Sequence, residues 1–265
     1  MYAKKSFGQH FLNRPDIAER IANSLALTHE TARVLEVGPG QGMLTKHLLK
    51  NPYELVVVEA DKDMVAYLES NYPLSIATKK DKGRIVFDDF LKVKLEDVFD
   101  NQPFSLIGNF PYNISSQIVF KMIESRALIP EMVGMFQLEV AQRIVSKPGS
   151  KEYGILSVLA QAFYDGKKLF NVDKNCFTPP PKVQSAVVRL VRKENQDLGC
   201  DEILFKKVVK QAFSQRRKML RNTLKPFFES DPSVLNDDFY TKRPETLSME
   251  DFVKLTQLVE LKIKN

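Results

Sequence analysis

The first 190 residues alternate short, almost continuously apolar runs with amphipathic stretches, and that alternation limits the fold more than any other feature. Runs at Arg33–Val37, Leu55–Glu59, Arg84–Phe87, Phe104–Ile107 and Met132–Phe136 are rich in β-branched and aliphatic residues. Apolar on both faces, they fit strands covered from both sides. Helical periodicity between them predicts helices over 15–27, 42–50, 62–71, 114–126 and 138–146. Pro15 suits the first turn of the first helix, with Asn13 as a possible cap. Strands alternating with helices predict a parallel sheet layered between helices. A further helix over Tyr153–Tyr164 and closing strands over Lys168–Val172 and Ala186–Val191 complete this α/β region, residues 1–192.

The alternation stops there. Lys193–Gly199 is polar and turn-prone and reads as a linker. Beyond it only helical periodicity remains, over Ile203–Phe213, Met219–Phe228 and Met249–Ile263, so residues 200–265 are expected to form a small all-α domain. The formal charge of the 265-residue chain is +6. Residues 201–225 hold eight Lys/Arg and two acids, so this segment accounts for the whole surplus. Basicity concentrated in 25 residues points to a face for a polyanion, although a solvated helical face has the same composition.

Several classes are excluded. Two cysteines, Cys176 and Cys200, make no CxxC pair, and three scattered histidines have no zinc spacing, so neither a disulfide scaffold nor a metal site is expected. Polar residues interrupt any N-terminal signal region. The longest uncharged run, Asn101–Phe120, contains two prolines, three asparagines and three serines, which argues against a membrane span. A cytoplasmic protein is expected.

Four features at successive strand ends carry the chemistry. Val34–Gly42 runs from a strand through Gly38, Gly40 and Gly42 into a helix, with Glu36 before the first glycine. The Gly-x-Gly-x-Gly spacing differs from the dinucleotide fingerprint, and the acid suits a cationic or neutral ligand better than a pyrophosphate. Glu59 ends the second strand, where a carboxylate can take both hydroxyls of a ribose or simply face solvent. Asp88-Asp89 ends the third, where one carboxylate can accept from the amine of an adenine or cap a turn. Asn109-Phe110-Pro111-Tyr112 ends the fourth. An amide oxygen on Asn109 and the carbonyl of Phe110 or Pro111 can both accept from an exocyclic amine and localise its lone pair for attack. Pro111 fixes the turn, and Tyr112 offers a face on which an extruded base stacks.

Together these motifs resemble the S-adenosylmethionine-dependent ribosomal RNA adenine dimethyltransferases, in pattern most like the bacterial small-subunit, kasugamycin-resistance type. The resemblance extends through Phe7–Leu12, Phe177–Leu190 and Phe213–Asn222. It implies a Rossmann-like, seven-stranded methyltransferase domain with a small all-α C-terminal domain. It further implies S-adenosyl-L-methionine as methyl donor without a metal, and transfer to N6 of two adjacent adenosines in a hairpin near the 3′ end of small-subunit rRNA, in a pre-mature 30S particle. Carried over by position, His10, Leu12 and Gly38 lie by the methionine part of the cofactor, Glu59 holds the ribose, Asp89 the adenine, and Asn109 sits between cofactor and base. Pro111 and Tyr112 complete the catalytic loop, while Arg216, Arg217, Lys218 and Arg221 contact rRNA, with Lys4, Lys5 and Arg14 extending that surface. A monomer is expected. Two departures stand out: His10 where many members carry asparagine, and Phe110, where leucine is usual, which is expected to reshape the base pocket. The rivals are a large-subunit, macrolide-resistance methyltransferase, an assembly factor whose binding outweighs its catalysis, and a nicotinamide-dependent oxidoreductase. The Gln215–Asn222 run opposes the first, the complete catalytic set the second, and the glycine spacing the third.

Overall fold

The computed structural model describes residues 10–74 and 84–264. Lys4, Lys5 and the Phe7-Gly8-Gln9 part of the opening motif lie outside the described residues. The strands are β1 (Phe11–Leu12), β2 (Arg33–Val37), β3 (Glu54–Glu59), β4 (Ile85–Phe87), β5 (Ser105–Asn109), β6 (Glu131–Gln137), β7 (Tyr164–Val172), β8 (Phe177–Thr178) and β9 (Ser185–Arg192). The α-helices are α1 (Pro15–Ala22), α2 (Thr28–Thr31), α3 (Thr45–Leu48), α4 (Lys62–Asn71), α5 (Leu95–Val98), α6 (Ser115–Glu124), α7 (Leu138–Val145), α8 (Ile155–Phe163), α9 (Glu202–Ala212), α10 (Leu220–Thr223) and α11 (Met249–Lys264).

Seven strands form one sheet in the order β4-β3-β2-β5-β6-β9-β7. β4 through β6 are mutually parallel, and β9 runs antiparallel to β6. The strand order reverses direction at β2, which has β3 on one side and β5 on the other. Successive crossovers therefore leave in opposite directions from this point and open a crevice at the carboxyl ends of the central strands. The sheet and its helices bury Leu48, Val57, Leu68, Ile107, Met135 and Val187 in one core.

β1 and β8 form a separate two-residue antiparallel ribbon, with Phe11 opposite Thr178 and Leu12 opposite Phe177. No sequence pattern announces so short a pairing. It also changes the reading of Asn13. Arg14, not Asn13, holds the N-cap position of α1, and no side chain caps the helix. The Asn13 amide instead donates to Thr178 Oγ1 at 3.0 Å, and its backbone N–H to the Cys176 carbonyl at 2.8 Å.

Residues 1–141 and 165–192 form one compact unit, and residues 142–164 and 193–265 a second. The division thus differs from a simple cut after residue 192. The physical reason is α8, in which Leu156, Val158, Leu159, Ala160, Ala162 and Phe163 are all buried. A helix apolar all round needs cover on several sides, and α8 finds it against α9 and α11. The expected linker belongs to this unit as well: Lys193 Nζ donates to the Gln161 carbonyl, and Gln196 Nε2 to the Lys193 carbonyl. Phe205, Val208, Val209 and Ala212 of α9 face the core, as do Phe252, Leu255 and Val259 of α11. Phe213 stacks on Phe252 with ring centroids 5.8 Å apart. The expected helix over 219–228 is one turn of α10 followed by a 3-10 turn, Lys225–Phe227. Pro226 has no N–H to continue the α-helical ladder.

In the sheet unit Glu131, fully buried at the start of β6, accepts the backbone N–H groups of Ala26 and Leu27, each at 2.9 Å at its nearer oxygen. It caps the chain just before α2. Glu131→Ala leaves two donors without this acceptor as well as a void. It should lower unfolding free energy by about 2–4 kcal/mol in denaturant titrations, and a loss below about 1 kcal/mol would count against this role.

Candidate active site

Gly38, Gly40 and Gly42 all have positive φ (68°, 54° and 75°), so the chain leaves β2 through a turn that L side chains adopt only with strain. Each glycine also makes room for a ring of the protein itself. A Cβ on Gly38 would touch the Pro111 ring at 3.4 Å, one on Gly40 would press Phe11 at 3.0 Å, and one on Gly42 would sit 2.4 Å from Tyr72. The Tyr72 hydroxyl further donates to the carbonyls of Gln41 and Gly42, at 3.0 and 3.1 Å. Tyr72 lies 30 residues from the turn it clamps, with nothing in the sequence to link the two.

Glu36 is completely buried and accepts the Thr45 hydroxyl at 2.7 Å. Burial pushes its pKa up to about 8, against the opposing pull of that hydrogen bond, and the neighbouring Glu59 raises it further. Near neutral pH burial therefore favours the protonated form of Glu36 over the carboxylate. Glu59 is 6 % exposed, and burial raises its pKa as well. Its Oε1 accepts from Ala60 and Asp61, both at 2.9 Å, and its Oε2 from Gly40 at 3.0 Å. The carboxylate thus ties the glycine turn to the end of β3. Two N–H groups already fill Oε1, so only Oε2 retains a lone pair.

Asp88 and Asp89 do cap a turn: Asp88 Oδ1 accepts the Asp89 N–H at 2.7 Å and Asp89 Oδ1 the Leu91 N–H at 3.0 Å. Asp89 Oδ2 accepts no hydrogen bond from a described residue. Behind this turn Lys121 of α6 donates to the carbonyls of Phe90 and Val93, at 2.7 and 2.6 Å. Asn109 at the end of β5 donates from Nδ2 to the His10 carbonyl at 3.2 Å. That bond fixes the orientation of the amide and leaves Oδ1 as the acceptor. The Tyr112 hydroxyl is hydrogen-bonded to Ser185 of β9, and its ring lies 5.4 Å from the His10 imidazole at a 30° tilt. Burial raises the Tyr112 pKa, keeping it a phenol. His10 is held by its Nδ1, 2.8 Å from the Pro179 carbonyl.

His10, Leu12, Gly38, Glu59, Asp89 and Asn109 all line one cavity of about 330 Å³, together with Pro111 and Tyr112. The volume is that of a small-molecule site. Phe110 also borders it, although the residue is 1 % exposed and its ring packs edge-on against Phe136. Apolar Phe11, Leu12 and Met43 and a few convergent carboxyl and amide groups make this lining suited to a nucleoside carrying an apolar, partly charged tail.

In the helical unit the basic residues are not equivalent. Arg216 is half-buried and donates from Nη2 to the Ser150 carbonyl at 3.1 Å, whereas Arg217, Lys218 and Arg221 are exposed. Lys207 and Lys210 on α9 are exposed as well. Among the described residues no helix is long and apolar enough to cross a membrane, and no group of three or more His, Cys, Asp or Glu is arranged to hold a metal ion.

A parallel sheet with one reversed strand, glycine turn and strand-end acids define the sheet unit as the Rossmann-like domain of an S-adenosylmethionine-dependent methyltransferase. The match in solved structures spans more than that domain. A dimethyladenosine transferase from Plasmodium falciparum superposes with a TM-score of 0.75 over 96% of this chain and 98% of its own, at 26% identity. The 23S rRNA methyltransferase ErmE shares the fold, with a TM-score of 0.66 and 23% identity over 94% of this chain and 99% of its own. The chain belongs to the ribosomal RNA adenine dimethylase family, whose model matches residues 1–257. Its curated relatives include proteins named ribosomal RNA small subunit methyltransferase A. That from Flavobacterium johnsoniae is 54% identical over 97% of this chain and 96% of its own length, and that from Bacteroides thetaiotaomicron is 51% identical over 98% and 95%.

The buried acid at the heart of the cavity gives a pH prediction. The folded chain holds the Glu36 proton up to about pH 8, whereas an unfolded chain releases it above its ordinary value of 4.5. The folded state therefore binds more protons between these limits, and stability falls as pH rises through the window. Glu36→Gln keeps an acceptor for Thr45 but does not titrate. Its melting temperature should match the parent below about pH 4.5 and exceed it above pH 8. Parallel profiles for the two proteins would contradict the raised pKa.

Proposed function

We propose that this chain transfers methyl groups from S-adenosyl-L-methionine to N6 of two adjacent adenosines in a hairpin near the 3′ end of small-subunit rRNA, acting as a cytoplasmic monomer on a pre-mature 30S particle. The observation that carries this reading is the Asn109 amide. Its nitrogen is engaged by the His10 carbonyl, so its oxygen faces the cavity chemistry as an acceptor beside Tyr112.

S-adenosyl-L-methionine supplies a methyl group already activated on a sulfonium, so the chain needs alignment more than acid–base catalysis. Gly38, His10 and Leu12 border the methionine end. Glu59 Oε2 takes one ribose hydroxyl while its other oxygen keeps the turn in place. Asp89 accepts the adenine amine through Oδ2. On the target side Tyr112 stacks the extruded base, and Asn109 Oδ1 accepts from its N6 amine. The second acceptor is the carbonyl of Phe110 or Pro111; the Pro111 carbonyl already takes the Ile114 N–H at 3.2 Å and keeps one lone pair for the amine. Both oxygens stabilise the positive charge that grows on N6 as it attacks. The proton then leaves to water. Arg217, Lys218 and Arg221 bind rRNA phosphates, with Arg216 shaping the segment that carries them.

Labelled S-adenosyl-L-methionine, incubated with the protein and small subunits, large subunits or naked rRNA, tests the reading after nuclease digestion. N6,N6-dimethyladenosine should come from small subunits alone; label confined to large subunits would overturn it. Asn109→Ala should lower transfer by about 10²–10³-fold while small-subunit binding persists. A triple reversal of Arg217, Lys218 and Arg221 to Glu should weaken subunit binding and flatten its salt dependence. Cofactor affinity should stay near that of the parent, and unchanged binding would remove these residues from the interface.

A further inference from the structure

Gly108 on β5 and Gly134 on β6 stand directly opposite each other in the parallel ladder. Neither has a positive φ, so the backbone there would accept any residue. Glycine is disfavoured inside a strand, where it adds flexibility and packs nothing. Space is the reason for it here. The Phe110 ring lies over both positions. A Cβ on Gly134 would fall 2.2 Å from Phe110 Cε2 and 2.6 Å from Phe136 Cε2, and one on Gly108 would meet Phe110 Cε1 at 2.8 Å and the Val37 carbonyl at 2.6 Å.

Phe110 is the residue between Asn109 and Pro111. Its N–H donates to the Met135 carbonyl at 3.3 Å, one residue beyond Gly134, which extends the ladder into the loop. Its ring is 1 % exposed and meets Phe136 edge-on with centroids 5.2 Å apart. The loop that offers Asn109 and Tyr112 to the target base is thus anchored by one side chain pressed into a slot between two strands. We infer that Gly134 is a positioning residue for the methyl-transfer step: its missing side chain makes the slot that seats Phe110 and thereby sets the height of the Asn109–Tyr112 loop. This inference rests on the proposed reaction at Asn109.

The nearest atoms an added methyl at Gly134 meets belong to side chains, so a smaller residue at 110 relieves the tightest of these contacts, and the Phe136 ring must shift to relieve the other. At Gly108 it meets a backbone carbonyl, which no such change relieves. The test compares the parent, Phe110→Leu, Gly134→Ala and the double variant, with labelled S-adenosyl-L-methionine and small subunits. Phe110→Leu keeps the backbone carbonyl and alters only the ring in the slot, so its own kcat serves as the reference against which the double variant is read. Gly134→Ala should lose about tenfold to a hundredfold in kcat, the scale of a loop misplaced by up to about 1 Å. Its KM for subunits and its Kd for cofactor should move little. The double variant should recover most of the lost kcat, a rescue that a general loss of packing would not give.

Parental kcat in Gly134→Ala, or a double variant no better than Gly134→Ala, would overturn the inference. If Gly134→Ala fails to fold, the double variant decides: folded and active supports the slot, while unfolded or folded and inactive refutes it. A parent protein inactive on small subunits would instead sink the proposed reaction.

Discussion

Everything at the site depends on the reversal of strand order at β2. Chain segments leaving β2 toward β3 and those returning through β5 go opposite ways, so no crossover covers the ends of β2, β3, β4 and β5. Those four ends supply the glycine turn, Glu59, Asp88-Asp89 and Asn109. The Glu59 carboxylate then joins two of them by bonding the Gly40 N–H from the end of β3. The geometry of the cavity follows from the sheet, and the side chains only trim it.

Buried acids have an unusual share in this arrangement. Glu36, Glu59 and Glu131 all lie inside the sheet unit. Glu59 and Glu131 are held mainly by backbone N–H groups and so act as fixed acceptors that shape loops. Glu36 has only a hydroxyl, and burial leaves it neutral. A motif of the form acid-x-glycine therefore does not by itself announce a negative charge. Whether the charge exists depends on how many donors the fold delivers to it.

Much of this was legible in the sequence. Alternating apolar runs located the sheet strands because strands covered on both faces need no polar alternation. The strand-end residues could be read because topology alone places them together. What escaped was set by contacts remote in the chain. The β1–β8 ribbon pairs residues more than 160 positions apart through two-residue strands, too short for any periodicity. Asn13 looked like a cap because caps are local, yet its partner is Thr178. Residues 142–164 join the helical unit because α8 is apolar on every side, and sequence order cannot say which neighbour covers it. Arg216 and Arg217 are indistinguishable as letters, but one is half-buried with a bond to the Ser150 carbonyl and the other is exposed.

The glycine turn is filled by the protein's own rings, and this has a bearing on how the chain can drift over generations. Gly42 and Tyr72 occupy one volume, and so do Gly40 and Phe11. Losing the tyrosine would remove the clash at Gly42 but not the strain of its positive φ, so the glycine there answers to two separate demands. A substitution at the turn must therefore suit the backbone as well as the ring, and a change of the aromatic partner meets only the second requirement. The turn's intolerance of larger residues is thus owed in part to two aromatic rings of the same chain.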